Sequence, residues 1–417
     1  MNVIMTVLLW LAAIISLYFA VFWFLVLLDA PPQHRKRSMT SLPKVSVIIP
    51  AYNEEDCIRD TMESVLALEY PADKLQVIVV NDGSKDRTEE EAKKVIAAHP
   101  ASDILYIAKQ NGGKGTALNM GIAQASGEFI ATMDSDSGVE PAALRKMLPY
   151  FADDTIVAVV PSMKVREPKT WLQRVQWYEY VVNIFYKELM GRLDCLHVIP
   201  GPFPIYRADV FGKVGGFAEN HNLTEDLEFT LRLQSHHHKI IQLTEAEVTT
   251  IAPDNLRAFY AQRNRWFKGA LLNAFNYRRM LFRKEFGDFG MIQLPTILIS
   301  GVLSLLLVGS FLYYAAKPYV SFIYNLFYVD FDIMTLIKAL QWNFSFYDVD
   351  YMGVVLMVLM TTISLTMIIM AHRTLKERMM KHGLSAFFVF LIVYYLMLGW
   401  AWVGVARDLV IRRVQKW

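Results

Sequence analysis

The chain has 417 residues, enough for more than one structural unit, and 54% of them are hydrophobic, high for a protein that meets only water. Its 42 Lys and Arg nearly balance 40 Asp and Glu, and a net charge of +2 excludes nucleic acid as a partner drawn by charge. Only Cys57 and Cys195 occur, which excludes a disulfide framework and a cysteine-based metal site and leaves two unpaired cytoplasmic thiols.

Residues 1–28 carry no charge before Asp29, the pattern of a membrane-spanning helix. No basic segment precedes the apolar run and no small-x-small cleavage site follows it, so the span is expected to stay as an anchor. "KVSVIIPAYNEE" (Lys44–Glu55) then reads as a continuous apolar strand, followed by a helix. "LQVIVVNDGSKD" (Leu75–Asp86) repeats the plan, and "DILYIAK" and "GEFIATMDSDS" add two strands. Strands without alternation, separated by helices, predict an α/β domain over residues 29–254 with a mainly parallel sheet. Ligands bind such sheets beyond the carboxyl ends of the strands, where Tyr52, Glu54, Asp82 and Asp134 fall.

"MDSDS" (Met133–Ser137) places Asp134 and Asp136 in alternation on an extended end, where their carboxylates can share a hard cation with phosphate oxygens. "NGGKGTALNMGI" (Asn111–Ile122) is a glycine-rich turn entering a helix, with Lys114 in the turn, which suits phosphate binding but lacks Walker spacing. "NLTEDLEFTLRL" (Asn222–Leu233) sets Glu225 and Asp226 at a helix start, where acidic residues also serve the helix dipole. The three adjacent histidines His236–His238 cannot all face one ion from a regular element and read as a solvated loop.

Two stretches look interfacial: Trp171–Leu189, and "YAQRNRWFKGALLNAF" (Tyr260–Phe275) within residues 255–290. Anionic lipid is enough to explain Arg263, Lys268, Arg278 and Arg279. Residues 291–417 hold further spans near 291–316, 352–371 and 386–406. Val320–Phe346, broken by Asp330, Asp332 and Lys338, reads as an outer or interfacial segment. The basic flanks His34–Arg37 and His372–Gly383 place residues between Asp29 and Met291 in the cytoplasm, with the loop carrying Asp330, Asp332, Asp348 and Asp350 outside. The basic tail Arg407–Trp417 conflicts with four crossings, and a re-entrant last segment is one resolution.

The ordered series "VIIPAYNEE", "VVNDGS", "NGGKGTALN", "MDSDS", "PGPFPIYR", "TED" and "QRNRW" resembles the membrane-embedded family-2 glycosyltransferases, among them the synthases of poly-N-acetylglucosamine, cellulose, chitin and hyaluronan. The resemblance covers about Pro43 to Gly269 and implies a GT-A-type nucleotide-sugar-binding domain beside a transmembrane region with interfacial helices. It implies that Tyr52 and Glu54 contact the uracil of a UDP-sugar, with Asp82 beside them, and that Lys114 and Asp134 bind the nucleotide and its diphosphate. Asp136 would hold Mg²⁺ or Mn²⁺, and the catalytic pair would be Asp226, the general base, with Glu225. Gln262, Arg265 and Trp266 of Gln-x-x-Arg-Trp would bind acceptor and leaving UDP.

The implied activity is inverting transfer from UDP-N-acetylglucosamine or UDP-glucose to a growing β-linked polysaccharide at the cell membrane, with assistance to its passage outward. The alternative is a single addition to a lipid-linked or glycolipid acceptor. The chain carries no Phe-x-Val-Thr gating motif and fewer spans than hyaluronan synthases, which implies a partner membrane subunit or a homo-oligomer.

Overall fold

A computed structural model describes residues 3–29, 41–219, 222–328, 330–331, 334 and 350–411. His34–Arg37, Asp332, Lys338, Asp348 and the tail from Arg412, on which parts of the topology reading rest, lie outside the described residues. The chain divides into two compact units, Met1–Asp29 with Ser300–Met370, and Ala30–Ile299 with Ala371–Trp417. Helix α1 (Val3–Leu28) opens the first unit.

The second unit is built on one mixed sheet of eight strands in the order β3-β2-β1-β4-β7-β6-β8-β5. The strands are β1 (Val45–Ala51), β2 (Leu75–Asn81), β3 (Asp103–Ala108), β4 (Phe129–Thr132), β5 (Gly138–Val139), β6 (Ile156–Val165), β7 (Ile205–Arg207) and β8 (Lys239–Thr250). β3, β2, β1 and β4 pair in parallel, as do β6 and β8, while β7 runs antiparallel between β4 and β6 and β5 antiparallel to β8. Every residue of β1 and β2 is buried, which is why neither alternates. Pro50 sits in β1 without costing a ladder bond on the β4 side, because that pairing ends at Ile48 opposite Thr132.

Helices α2 (Ile58–Leu66), α3 (Thr88–Ala98) and α5 (Ala143–Met147) pack on one face of the sheet. Helices α4 (Lys114–Gln124), α7 (Asp209–Val214) and α8 (Glu225–Ser235) cover the other. The histidine run forms the turn between α8 and β8, with His236 and His237 exposed, as expected of a solvated loop.

Beyond the sheet lie α6 (Trp171–Arg192) and α9 (Leu256–Asn276). The side chain of Thr170 accepts from Gln173 N and caps α6, and Asn255 accepts from Ala258 N at 2.9 Å and caps α9. Of the aromatics of α6, Trp177, Tyr178, Tyr180 and Phe185 are buried packing residues, while Trp171 is exposed.

Helix α10 (Leu294–Tyr328), led in by a π-helical turn at Phe289–Gln293, runs past the expected end near 316 and through Pro318. It therefore takes in the first part of the segment read as outer or interfacial. A proline removes one backbone bond, which the turns on either side outweigh in a helix this long. Helix α11 (Tyr351–Thr374) follows. α1, α10 and α11 are long and apolar enough to cross a membrane, and side chains such as Leu11, Val302, Phe311 and Met357 are exposed, as lipid-facing groups are.

The last apolar stretch is not one straight helix. α12 (Leu384–Ile392) and α13 (Tyr394–Val410) meet at Val393 with a bend of 43°. α12 packs on α6 and α13 on α9.

A buried ion pair ties these helices together. Arg263 of α9 is 1% exposed and donates to Glu179 of α6 at 2.5 Å and to the Tyr394 hydroxyl of α13 at 3.3 Å. Its guanidinium also lies over Phe259 and Trp266, at 5.0 and 4.3 Å from the ring centroids. Arg263 is thus a core residue and not a lipid contact, and Lys268, 5% exposed, departs from the lipid reading in the same way. Glu179→Ala is expected to cost about 3–5 kcal/mol, because it leaves a buried cation unpaired. Removing both charges together, as Glu179→Leu with Arg263→Met, is expected to cost less than Glu179→Ala alone; melting of the detergent-solubilised chain checks both.

Candidate active site

The strand order puts the ends of β1, β2 and β4 side by side, so the residues that follow them share one edge. After β4, Met133 N donates to Ile48 O at 2.8 Å, and the chain then turns, Ser137 N donating to Asp134 O at 3.1 Å. Asp134 and Asp136 therefore stand on a tight turn, not on the extended end expected from their alternation. The hydroxyl of buried Thr61 on α2 holds that turn from below, donating to the carbonyls of Ser135 (2.7 Å) and Ser137 (2.8 Å).

Gly201, between Pro200 and Pro202, presses on the same turn: a Cβ there would meet Asp134 Oδ1 at 2.4 Å. No other residue type fits without moving the carboxylate. Gly113 precedes α4 with φ +91°, a conformation that favours glycine, and delivers Lys114 as the helix's first residue.

Lys114 Nζ lies 2.6 Å from Asp134 Oδ1 and 3.1 Å from Glu225 Oε1. Burial pushes its ammonium down, but the charges of Asp134, Glu225 and Asp226 outweigh burial and hold it well above the ordinary lysine range. Burial and the neighbouring Asp134 push Asp136 up, against the Ser137 hydroxyl that donates to it at 2.8 Å. Burial and Glu225 push Asp226 up to about 6, against Lys114, the Leu227 N–H at 2.7 Å and Arg265. Burial, then Asp136, pushes Glu54 up to about 7.

A cavity of about 490 Å³ joins most of these groups. Lys114, Asp134, Asp136, Glu225, Asp226, Gln262, Arg265 and Trp266 all line it. Tyr52, Glu54 and Asp82 are not among its lining residues. Tyr52 is 44% exposed just past β1. Glu54 lies outside the cavity lining but close enough to the aspartate turn for Asp136, Ser135 and Asp134 to act on its carboxyl. Asp82 commits both oxygens to the glycine turn, Oδ1 accepting from Gly112 N at 3.0 Å and Lys109 Nζ at 2.5 Å, and Oδ2 from Gly113 N at 2.8 Å.

On α9, Gln262 Oε1 accepts from Arg263 at 2.8 Å, which turns its amide NH₂ outward as a donor. Arg265 donates to Leu223 O at 3.2 Å, beside the start of α8. Sequence reasoning missed Thr61, Glu179, Lys187, His197 and the structural duty of Arg263. The signal for Arg263 was present, since an acidic residue on a neighbouring aromatic helix is a natural partner for a basic one.

Aspartate oxygens on a turn, with Glu54 close by and only one ammonium against them, are a hard, anionic donor set that suits Mg²⁺ or Mn²⁺. Among the described residues no three carboxylate, histidine or cysteine side chains converge closely enough to cage a metal unaided. That fits a cation completed by ligand phosphates.

Residues 46–215 match the family described as Glycosyl transferase family 2. The chain is 29% identical over 235 residues to the poly-beta-1,6-N-acetyl-D-glucosamine synthase of Staphylococcus aureus, covering 56% of each chain. It is 28% identical over 262 residues to the beta-monoglucosyldiacylglycerol synthase of Synechocystis, covering 62% of this chain and 54% of that one. It thus spans a little over half the length of these relatives. Among solved structures it resembles the mannosyltransferase of Pyrobaculum calidifontis in complex with GDP-mannose and Mn²⁺, with TM-score 0.59 and 20% identity, over 81% of this chain and 94% of that one. The mixed sheet and the family match agree: residues 46–215 form a domain that matches Glycosyl transferase family 2, on a GT-A-like fold.

Proposed function

We propose that the protein is an inverting membrane glycosyltransferase that moves sugar from a UDP-sugar to the end of a growing β-linked polysaccharide. The observation that carries this reading is that Asp226 and Trp266 line the same cavity as Asp134 and Asp136. Tyr52 and Glu54 would meet the base, and Asp82 would shape the glycine turn that presents Lys114. Lys114 and Asp134 would bind the diphosphate. Asp136, with Asp134, would hold Mg²⁺ or Mn²⁺, which supplies positive charge to the diphosphate; the mannosyltransferase of similar fold is complexed with Mn²⁺.

Asp226 takes the proton of an acceptor hydroxyl, whose oxygen forms the new bond to the anomeric carbon as the bond to the β-phosphate breaks. Glu225, 4% exposed and bound to Lys114, positions that ammonium and raises the basicity of Asp226. Arg265 lies close enough to act on Asp226 and would steady charge building on the leaving UDP. Trp266 offers a ring to an acceptor sugar, and Gln262 its amide NH₂.

The second reading is a single addition to a lipid-linked acceptor, favoured by apolar side chains in the cavity lining, among them Ile184, Val198 and Leu398. Relatives of both kinds, polymer and glycolipid synthases, support carrying the two readings together. We place the protein in the membrane by α1, α10 and α11, with the catalytic domain cytoplasmic and the bent α12–α13 pair docked on that domain. A partner subunit or second copy would complete a conduit for a polymer.

Purified chain in nanodiscs with Mn²⁺ and a panel of UDP-sugars tests the reading. A high polymer is expected from one donor, while one discrete lipid adduct would support the second reading instead. Asp226→Asn is expected to lower turnover by about 10²–10⁴-fold with little change in UDP affinity. Because Asp226 is held up to about 6 in the free protein, its base form fills as pH rises through that value, so kcat/KM should climb there in the natural chain. Asp226→Asn should lack that limb.

EDTA is expected to abolish transfer and Mg²⁺ or Mn²⁺ to restore it; turnover in metal-free buffer would refute the role given to Asp136. Trp266→Ala should shorten products more than it weakens UDP binding, as read by gel sizing beside UDP titration.

A further inference from the structure

Among the residues that line the cavity, Lys187 of α6 and His197 have no part in the roles above. Electrostatic neighbours link them to the groups that do. Asp134 acts on both Asp136 and Lys114, Lys114 is also held by Glu225 and Asp226, Lys187 feels Asp226, and His197 feels Lys187. Lys187 and His197 both line the cavity, close enough to act on one another and, for Lys187, on Asp226.

Lys187 makes no hydrogen bond or ion pair among the described residues, in contrast to Lys114 and Arg263, which are each bound by carboxylates. Burial pushes its ammonium down to about 8 against the pull of Asp226, which leaves it mostly charged at neutral pH. His197 Nδ1 lies 3.0 Å from Nε2 of Gln293, which is 2% exposed. An amide N–H donates, so Nδ1 accepts and the ring proton sits on Nε2. Burial, with Lys187 adding to it, holds the ring down to about 4 and so neutral.

An ammonium and an imidazole N–H thus stand together with no protein acceptor among the described residues, inside walls that include Ile184, Met190, Val198 and Ala270. A cation placed there costs stability unless an anion joins it.

We propose that Lys187 and His197 form an anion subsite for the acceptor, taking a phosphate or carboxylate group carried near the hydroxyl that Asp226 deprotonates. The inference rests on the reading of Asp226 as acceptor base. It makes the acceptor an acidic sugar chain or a phosphate-bearing lipid rather than a neutral one.

The test keeps the full chain in detergent with saturating UDP and Mn²⁺, so that the donor end is filled. Glucose, glucuronate and glucose 6-phosphate are offered, and acylation of Lys187 by an amine reagent is read by peptide mass spectrometry. The two acids are expected to protect Lys187 at concentrations about tenfold or more below that of glucose, the scale of a charged hydrogen bond. Phosphatidylglycerol against diacylglycerol in nanodiscs is the lipid arm, and protection by phosphatidylglycerol alone would assign the anion to a lipid.

Binding of the acids, read by calorimetry, should lose its advantage over glucose in Lys187→Met and keep it in Lys187→Arg, with melting temperatures confirming that both fold. Equal protection by glucose and the acids, protection by no probe, or an advantage that persists in Lys187→Met would overturn the subsite. Protection by acids in a chain that transfers no sugar from any donor would leave the subsite standing and remove the reading of Asp226.

Discussion

The candidate site depends on one cation. Asp134 and Asp136 arrive on the turn after β4, and Glu225 and Asp226 on the first turn of α8, and Lys114 stands between the two pairs at 2.6 Å from Asp134 and 3.1 Å from Glu225. A lysine as the first residue of a helix opposes the positive end of the helix dipole. It is poor chemistry for α4 and good chemistry for the cavity, because a single ammonium lets two acidic turns approach each other. It does not neutralise them. Burial first, and then the surplus negative charge, hold Asp136 and Asp226 above the ordinary carboxylate range, and that charge is what a divalent cation and a proton-bearing acceptor would each relieve.

The same economy of charge governs α9. Arg263 and Arg265 are two residues apart, about 200° around a helix, and they do different work. Arg263 is sealed against Glu179, Tyr394 and the face of Trp266, and its bond to Gln262 fixes that side chain as well. Arg265 reaches the start of α8 and acts on Asp226. The residue at the second position of Gln-x-x-Arg-Trp is thus the internal brace for those around it. A surface helix held to lipid by charge alone would hold Gln262 and Trp266 less firmly, since ion pairs in water are weak.

Much of the sheet was legible because each parallel strand is a continuous apolar run, and the acidic residues were legible because they stand where those runs stop. What escaped is what depends on distant parts of the chain. No local pattern reveals that Thr61 props up the aspartate turn from α2, or that Asp82 is consumed by backbone N–H groups from beyond β3. Alternation in "MDSDS" suggested an extended end, but a bond from Ser137 N to Asp134 O closes a turn that spacing alone does not show. Basic residues in a stretch next to apolar sequence were given to lipid, since sequence shows their charge and not the Glu179 that buries one of them. Lys187 and His197 were passed over for the same reason, each lone in its own segment and joined only across the cavity.

The final helices bear on how the last apolar stretch meets the membrane. α12 and α13 together have the length and composition of a span, yet Tyr394 is 1% exposed, Trp402 7% and Asp408 3%, within a unit that also holds the sheet. Asp408 is paired with its neighbour Arg407 at 3.2 Å near the end of α13. The 43° bend is what permits docking: it brings the Tyr394 hydroxyl within reach of Arg263 and sets Leu398 in the wall of the cavity. With that pair docked and not crossing, the proposed topology needs three spans instead of four. That proposal would leave Arg407, near the end of α13, on the side of the catalytic domain, in keeping with the bias of Lys and Arg toward the cytoplasm. On the proposed topology the bend at Val393 would remove the conflict that four crossings create, and Leu398 of α13 lines the cavity in either case.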